Sequence, residues 1–104
     1  MKPVVLFLTC ADKDEIKKIV ESLLEKKLIV CAKSFPVNST FFWKDKIDSS
    51  EEVLVVMDSS EELFQKVEDE VRKLHSYDTP NLTAVSVAKT SKGVIEWMTE
   101  GLQK

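Results

Sequence analysis

The sequence predicts an α+β protein: a ferredoxin-like split βαβ sandwich with a long hairpin between its second and third strands and a short C-terminal helix. Three observations lead there. Apolar, β-branched runs alternate with two amphipathic stretches in the order strand, helix, strand, strand, helix, strand, and a last short helical stretch follows. Two βαβ-like halves of this kind form the split arrangement, with crossover handedness setting both main helices on one face of an antiparallel sheet. The length of 104 residues and the scarcity of Gly (two) and Pro (three) give one domain, residues 1–104, without a linker.

Each element has its own signal. "PVVLFLT" (3–9) is a continuous apolar run, the pattern of a strand buried on both faces. In "ADKDEIKKIVESLLEKKL" (11–28), Ile16, Ile19, Val20, Leu23 and Leu24 share one helical face, and Lys17, Lys18, Glu21 and Glu25 form a solvated one. Asp12 with Glu15 three residues on makes a capping-box start. "LIVCAKSFPVNSTFFWK" (28–44) reads as a long extended segment, and Pro36 makes it an edge or bulged strand. "DKIDSS" (45–50) reads as a turn, and "EEVLVVMD" (51–58) as the third strand. "SSEELFQKVEDEVRKLH" (59–75) is the second helix, with Ser59 as N-cap, Glu62 three residues on, and a stripe of Phe64, Val67, Val71 and Leu74. After the loop "SYDTPN", "LTAVSVAK" (82–89) is the fourth strand, and "SKGVIEWMTEGL" (91–102) ends in a short helix.

A sheet with both helices on one face should alternate, wet on the other. The first and third strands do not alternate. We therefore expect an obligate oligomer in which other subunits cover the second face. In "TFFWKDKID" (40–48), Phe41 and Trp43 fall on one face and Phe42 on the other. This stretch reads as one arm of a hairpin lying across a neighbour; the alternative is that Phe42 and Trp43 close the end of the monomer's own core.

Net charge is −3, from 15 basic and 18 acidic residues, with no basic cluster interleaved with aromatics. That argues against nucleic acid as the main partner. The N-terminal "MKPVVLFLTCADKDE" lacks a signal-peptide pattern, and no apolar run approaches a membrane span. The expectation is a soluble, cytoplasmic protein with no membrane partner. Two cysteines, Cys10 and Cys31, are too few for a disulfide framework, and the usual strand order does not pair the strands that carry them.

The inventory for catalysis is poor. One histidine without a paired nucleophile argues against a triad, and two glycines, Gly93 and Gly101, rule out a Gly-rich phosphate loop. An enzyme is not expected. Cys10 lies where the first strand meets the first helix. It is either a thiolate favoured by the helix N-terminus and suited to copper(I) or zinc, or a small buried apolar residue. Cys31 reads as the latter, in mid-strand. His75, at the end of the second helix, either ligates a metal with Asp78 and a thiolate, or caps the last helical carbonyls.

Several patches together resemble the CutA divalent-cation tolerance proteins: "LTCADKDEI", "LLEKKLIVCAKSFPVNSTFFWKDKI", "SSEEVLVVMDSSEELF", "LHSYDTP" and "GVIEW", in order over nearly the whole chain. The chain departs from that pattern at Ala11 and Ser76, where the family usually has Pro, at Asp45 in place of a turn Gly, and at Asn81 in place of an acidic residue. The resemblance implies a homotrimer with long intersubunit hairpins, linked to tolerance of copper and other divalent metals, with no agreed enzymatic activity and no required cofactor. It also directs attention to Cys10, His75 and Asp78 as a copper site. The alternative reading is a trimeric small-molecule-sensing or regulatory module of PII- or ACT-like architecture, or a purely structural assembly partner.

Overall fold

The computed structural model describes residues 1–104. Its elements are β1 (Pro3–Cys10), α1 (Lys13–Glu25), β2 (Cys31–Trp43), β3 (Lys46–Ser60), a 3-10 turn (Glu61–Leu63), α2 (Phe64–Leu74), β4 (Leu82–Ser86) and α3 (Val94–Gly101). The strands form one antiparallel sheet in the order β2-β3-β1-β4, the split βαβ arrangement expected. No helix is long and apolar enough to cross a membrane.

The core lies between one sheet face and the helices. Val4, Leu6, Leu8 and Cys10 of β1 alternate inward with Val53, Val55 and Met57 of β3, and meet Ile16, Ile19 and Leu23 of α1 and Val67 and Val71 of α2. The other sheet face is not closed by the chain itself. Phe7, Phe35 and Val85 stay exposed there, so β1 and β3 are fully buried on one face only. The last helix does not cover this face. It seats Met98 and Leu102 into the core beside the end of α1, and Gln103 ties it to the carbonyls of Lys26 and Lys27. Gly101 is required there, because a Cβ would stand 2.7 Å from Val30 Cγ1.

Several boundaries differ from the sequence expectation, each for a local reason. Helix α1 ends at Glu25 rather than Leu28. Lys27 turns left-handed (φ 56°), Leu28 N–H reaches Leu23 O, and Lys27 N–H reaches Leu24 O. This is a Schellman stop made with Lys where Gly is usual. Cys31 consequently opens β2 instead of lying mid-strand. Ser59 is not an N-cap. It is a fully buried strand residue whose hydroxyl donates to Leu28 O at 2.7 Å, and Glu62 accepts the backbone N–H of Lys2 instead. Strand β4 stops at Ser86, opposite Val4, because β1 begins one residue further on.

The hairpin differs most. Residues 46–50 are strand, and the turn is only Lys44–Asp45, between the paired residues Trp43 and Lys46. Both turn residues have positive φ, 51° and 63°, as a two-residue turn matched to strand twist requires. The arm is long enough to give the molecule a 45 Å axis against 26 and 21 Å. Phe42 pairs with Ile47 on one face, 75% and 73% exposed, while Phe41 and Trp43 take the other. Trp43 is itself 61% exposed, so Phe42 and Trp43 do not close the monomer's core.

Three non-Gly residues held left-handed make a direct test. Lys27→Gly and Asp45→Gly should each stabilise the protein, by up to about 1 kcal/mol, because Gly reaches positive φ without a Cβ penalty. Asp45→Val should destabilise it. Urea unfolding at fixed protein concentration measures the sign, and a loss of stability in both Gly variants would contradict these backbone assignments.

Candidate functional site

Cys10, Glu15 and His75 meet at the end of the sheet that carries the start of α1 and the end of α2. Their ligand atoms all lie within 4.8 Å of one another. Cys10 is placed by being the last inward residue of β1. Glu15 is placed by the helix start: Asp12 accepts the Glu15 N–H at 2.9 Å, and the Glu15 side chain turns back toward the strand. It passes over the N-cap residue itself and accepts from Ala11 N–H at 3.0 Å, one position earlier than in the usual capping box. Its other oxygen accepts from Ser76 N–H at 2.7 Å. One carboxylate thereby clasps the entry to α1 and the exit from α2.

His75 is the C-cap of α2, and its backbone N–H reaches Val71 O. Its ring does not cap helical carbonyls. Nδ1 accepts from Tyr77 N–H at 3.0 Å, so Nε2 carries the proton and donates to Thr9 O at 2.8 Å. The Tyr77 ring packs against the imidazole with centroids 4.7 Å apart, and its hydroxyl donates to Glu52 at 2.5 Å. Burial and the Glu52 carboxylate raise the Tyr77 pKa, which keeps that proton in place.

The electrostatics of the cluster are uneven. Burial first, then the Glu15 and Asp12 carboxylates, push the Cys10 thiol up to about 12. Cys10 is therefore a neutral thiol at neutral pH, not the thiolate that its position beside a helix start suggested. Burial alone would raise Glu15, but the N–H donors of Ala11 and Ser76 and the nearby His75 outweigh it and hold its carboxyl below the usual range. With both imidazole nitrogens engaged, His75 has no free lone pair to take a proton from Cys10. The three residues do not form a nucleophile–base pair.

Two of the three sequence-derived site residues, Cys10 and His75, are thus brought together. Asp78 is not in their group; it lies in the loop after α2, where its carbonyl accepts from Arg72 at 3.4 Å. Glu15 is the member that sequence reasoning assigned only to capping. Cys31 stands apart, half-buried, with Lys33 Nζ 3.6 Å from its sulfur, and both cysteines are free thiols. For a metal, the donor types suit a soft or borderline ion, and spacings up to 4.8 Å lie a small adjustment from those around one ion. The residues fit such an ion on two conditions. Cys10 must lose its proton, and His75 must release Thr9 or Tyr77.

A family model described as CutA1 divalent ion tolerance protein matches residues 4–101. The chain belongs to the CutA1 divalent ion tolerance protein family. It is 34% identical over 98 residues to the divalent-cation tolerance protein CutA of Archaeoglobus fulgidus, covering 94% of this chain and 96% of that one. It is 26% identical over 101 residues to the CutA of Pyrococcus horikoshii, covering 97% and 99%. The solved A. fulgidus structure, described as a periplasmic divalent cation tolerance protein, superposes with a TM-score of 0.94 at 33% identity over 97% of this chain and 99% of that one. The P. horikoshii crystal structure gives 0.92 at 25% identity over 97% and 99%. Ala11 and Ser76 are departures in the sequence from an expected Pro, which has no N–H to donate. In this chain those two N–H groups are the ones Glu15 accepts.

Glu15→Ala should cost about 1–2 kcal/mol at neutral pH, because it removes two charge-assisted hydrogen bonds at a partly solvated site. The folded-state pKa of Glu15 lies below its unfolded value, so its stabilisation is present above the unfolded pKa and disappears as pH falls through the folded one. The difference between wild type and Glu15→Ala should therefore shrink on acidification. Denaturant unfolding of both proteins across the acid range checks this; a difference that stays constant down to the lowest pH would remove Glu15 from the clasp.

Proposed function

We propose that this protein serves divalent-metal tolerance by taking a copper ion between Cys10 and His75, with Glu15 as third ligand, and that it works as a homotrimer. The convergence of thiol, imidazole and carboxylate in a chain of this family carries the reading. Copper supplies the driving force that the free thiol lacks, since a metal can displace the proton from a buried cysteine. His75 would keep one backbone partner and give its other nitrogen to the metal, the usual arrangement for a ligating imidazole. Asp78 enters this reading only as a ligand brought over by movement of its loop.

The trimer is supported by surface that a lone chain leaves bare. Phe7, Phe35 and Val85 on the open sheet face, and Phe42 and Ile47 on the hairpin, are all exposed. Large apolar side chains left bare on both faces of the long strands suit contact with other subunits. The hairpin pair Phe42–Ile47 suits a packed anchor against a neighbour.

Two measurements test these readings separately. Calorimetric titration with copper(I) under reducing conditions should show one site per chain in wild type. Affinity should fall as pH drops, and Cys10→Ser and His75→Ala should bind at least tenfold more weakly. If both variants bind like wild type, copper lies elsewhere or does not bind specifically. Sedimentation should show a trimer that persists on dilution and in salt, and Phe42→Asp should dissociate it. A folded wild-type monomer at nanomolar concentration would end the trimer reading.

A further inference from the structure

The hydrogen bonds of His75 rank its two ring nitrogens as metal ligands. Nδ1 accepts from Tyr77 N–H at 3.0 Å and so presents a lone pair, whereas Nε2 holds the ring proton and donates it to Thr9 O at 2.8 Å. A metal needs the lone pair. Nδ1 offers one with the tautomer already in place, and Nε2 would first have to lose its proton. The two partners also differ in what their loss costs. Thr9 O is partly buried, just past the Leu8–Leu82 pair where the β1–β4 ladder ends, and without the imidazole it would be short of a donor. The Tyr77 N–H bond is exposed, so water can take the place of the imidazole there. A ring N–H kept on a backbone carbonyl is also the usual way a ligating histidine is oriented.

Tyr77 is held at three points. Its N–H is on His75, its ring packs against the imidazole with centroids 4.7 Å apart, and its hydroxyl donates to Glu52. Two of the three rest on His75, so a ligand at Nδ1 works against both. The third reaches the base of the hairpin. Glu52 pairs with Val37, and by alternation it shares the open sheet face with Leu54 and Phe35. That is the face other subunits cover in the trimer reading. Tyr77 therefore connects the thiol cluster to a carboxylate on the side where a neighbour packs.

We propose that a metal ion at the Cys10–Glu15–His75 site takes Nδ1 of His75, releases the Tyr77 N–H, and thereby loosens the Tyr77–Glu52 hydrogen bond at the base of the hairpin. This rests on the metal reading above and adds a consequence to it: occupation of the cluster changes a contact on the open sheet face. The coupling is reciprocal. If metal binding opposes the Tyr77–Glu52 bond, removing that bond strengthens metal binding.

The chain has one His and one Tyr, so 15N-histidine and 13C,15N-tyrosine labelling of the assembled full-length protein gives one reporter of each. Without metal, NMR spectra should show Nδ1 unprotonated and Nε2 protonated. Copper(I) under reducing conditions should shift the Nδ1 resonance, leave Nε2 protonated, and move both the amide and the Cζ signals of Tyr77. In calorimetric titration, Tyr77→Phe should bind copper(I) roughly three- to tenfold more tightly than wild type. A substitution that merely disturbed the site would weaken binding instead. Circular dichroism and sedimentation check that the variant keeps its fold and assembly. Copper(I) bound through Nε2 with the Tyr77 signals unmoved overturns this inference and leaves the metal reading standing. Tyr77→Phe binding no tighter than wild type does the same. Equal binding by wild type, Cys10→Ser and His75→Ala overturns both.

Discussion

The pairing of β1 with β3 is the constraint from which the rest of the structure follows. Its register sets Cys10 opposite Val53 and Pro3 opposite Ser60. Within that span, the inward residues of both strands form the floor of the core, and two helices close it from one side. Each fully buried Leu or Val there contributes about 1.5–3 kcal/mol relative to exposure, so a one-residue slip, which would turn every inward side chain outward, is strongly excluded. The same register fixes where β1 stops. Cys10 is its last residue, and the chain must leave the sheet there to begin α1. The thiol, the Glu15 helix start and the sheet end are therefore one geometric event.

Because β1 stops at Cys10, residues 46–52 of β3 continue with only β2 beside them. An isolated two-stranded ribbon is weak in water, since both of its faces are exposed. Here one face carries Phe42 and Ile47 and the other Phe41 and Trp43, a strongly apolar dressing for a ribbon that packs on nothing of its own. Apolar side chains at such positions lower no energy unless something covers them. The loop after α2 supplies part of that cover on one face: Tyr77 reaches Glu52 near the base of the arm. The Phe42–Ile47 face has no counterpart within the chain.

Most of the architecture was legible because it rests on periodicity. The apolar face of α1, the Asp12 cap, the valine and leucine runs of β1 and β3, and the order of elements all appear at their expected positions. What escaped rests on backbone geometry that the usual residues do not announce. Lys27 and Lys44–Asp45 turn left-handed without a glycine, so a helix end and a tight hairpin turn carried no signal, and five strand residues read as a polar turn. Ser59 and Glu62 had the spacing of a cap, but burial claimed the serine hydroxyl for Leu28 and the glutamate for Lys2. Cys10 and His75 were legible as candidates by chemical type alone. Their proximity depends on the length and tilt of α2, which no local pattern encodes. The one available hint was Glu15, whose position three residues after a cap already implied a carboxylate turned back toward the strand end.

The loop from His75 to Thr79 ties the two halves of the surface chemistry together. Its first residues face the thiol cluster: His75 bonds Thr9 and Ser76 bonds Glu15. Its next residues face the base of the hairpin, where Tyr77 bonds Glu52. The backbone N–H of Tyr77 is the hinge between them, because it donates to His75 Nδ1. Any ligand that takes Nδ1 must displace this N–H, and the residue displaced is the one whose hydroxyl holds Glu52. A ligand that takes Nε2 instead frees Thr9 O and leaves Tyr77 where it is. The choice of imidazole nitrogen thus decides whether a ligand at His75 would move Tyr77. Tautomer choice at this one histidine is therefore the physical variable that links the thiol cluster to Tyr77 and, through its hydroxyl, to Glu52 at the base of the hairpin.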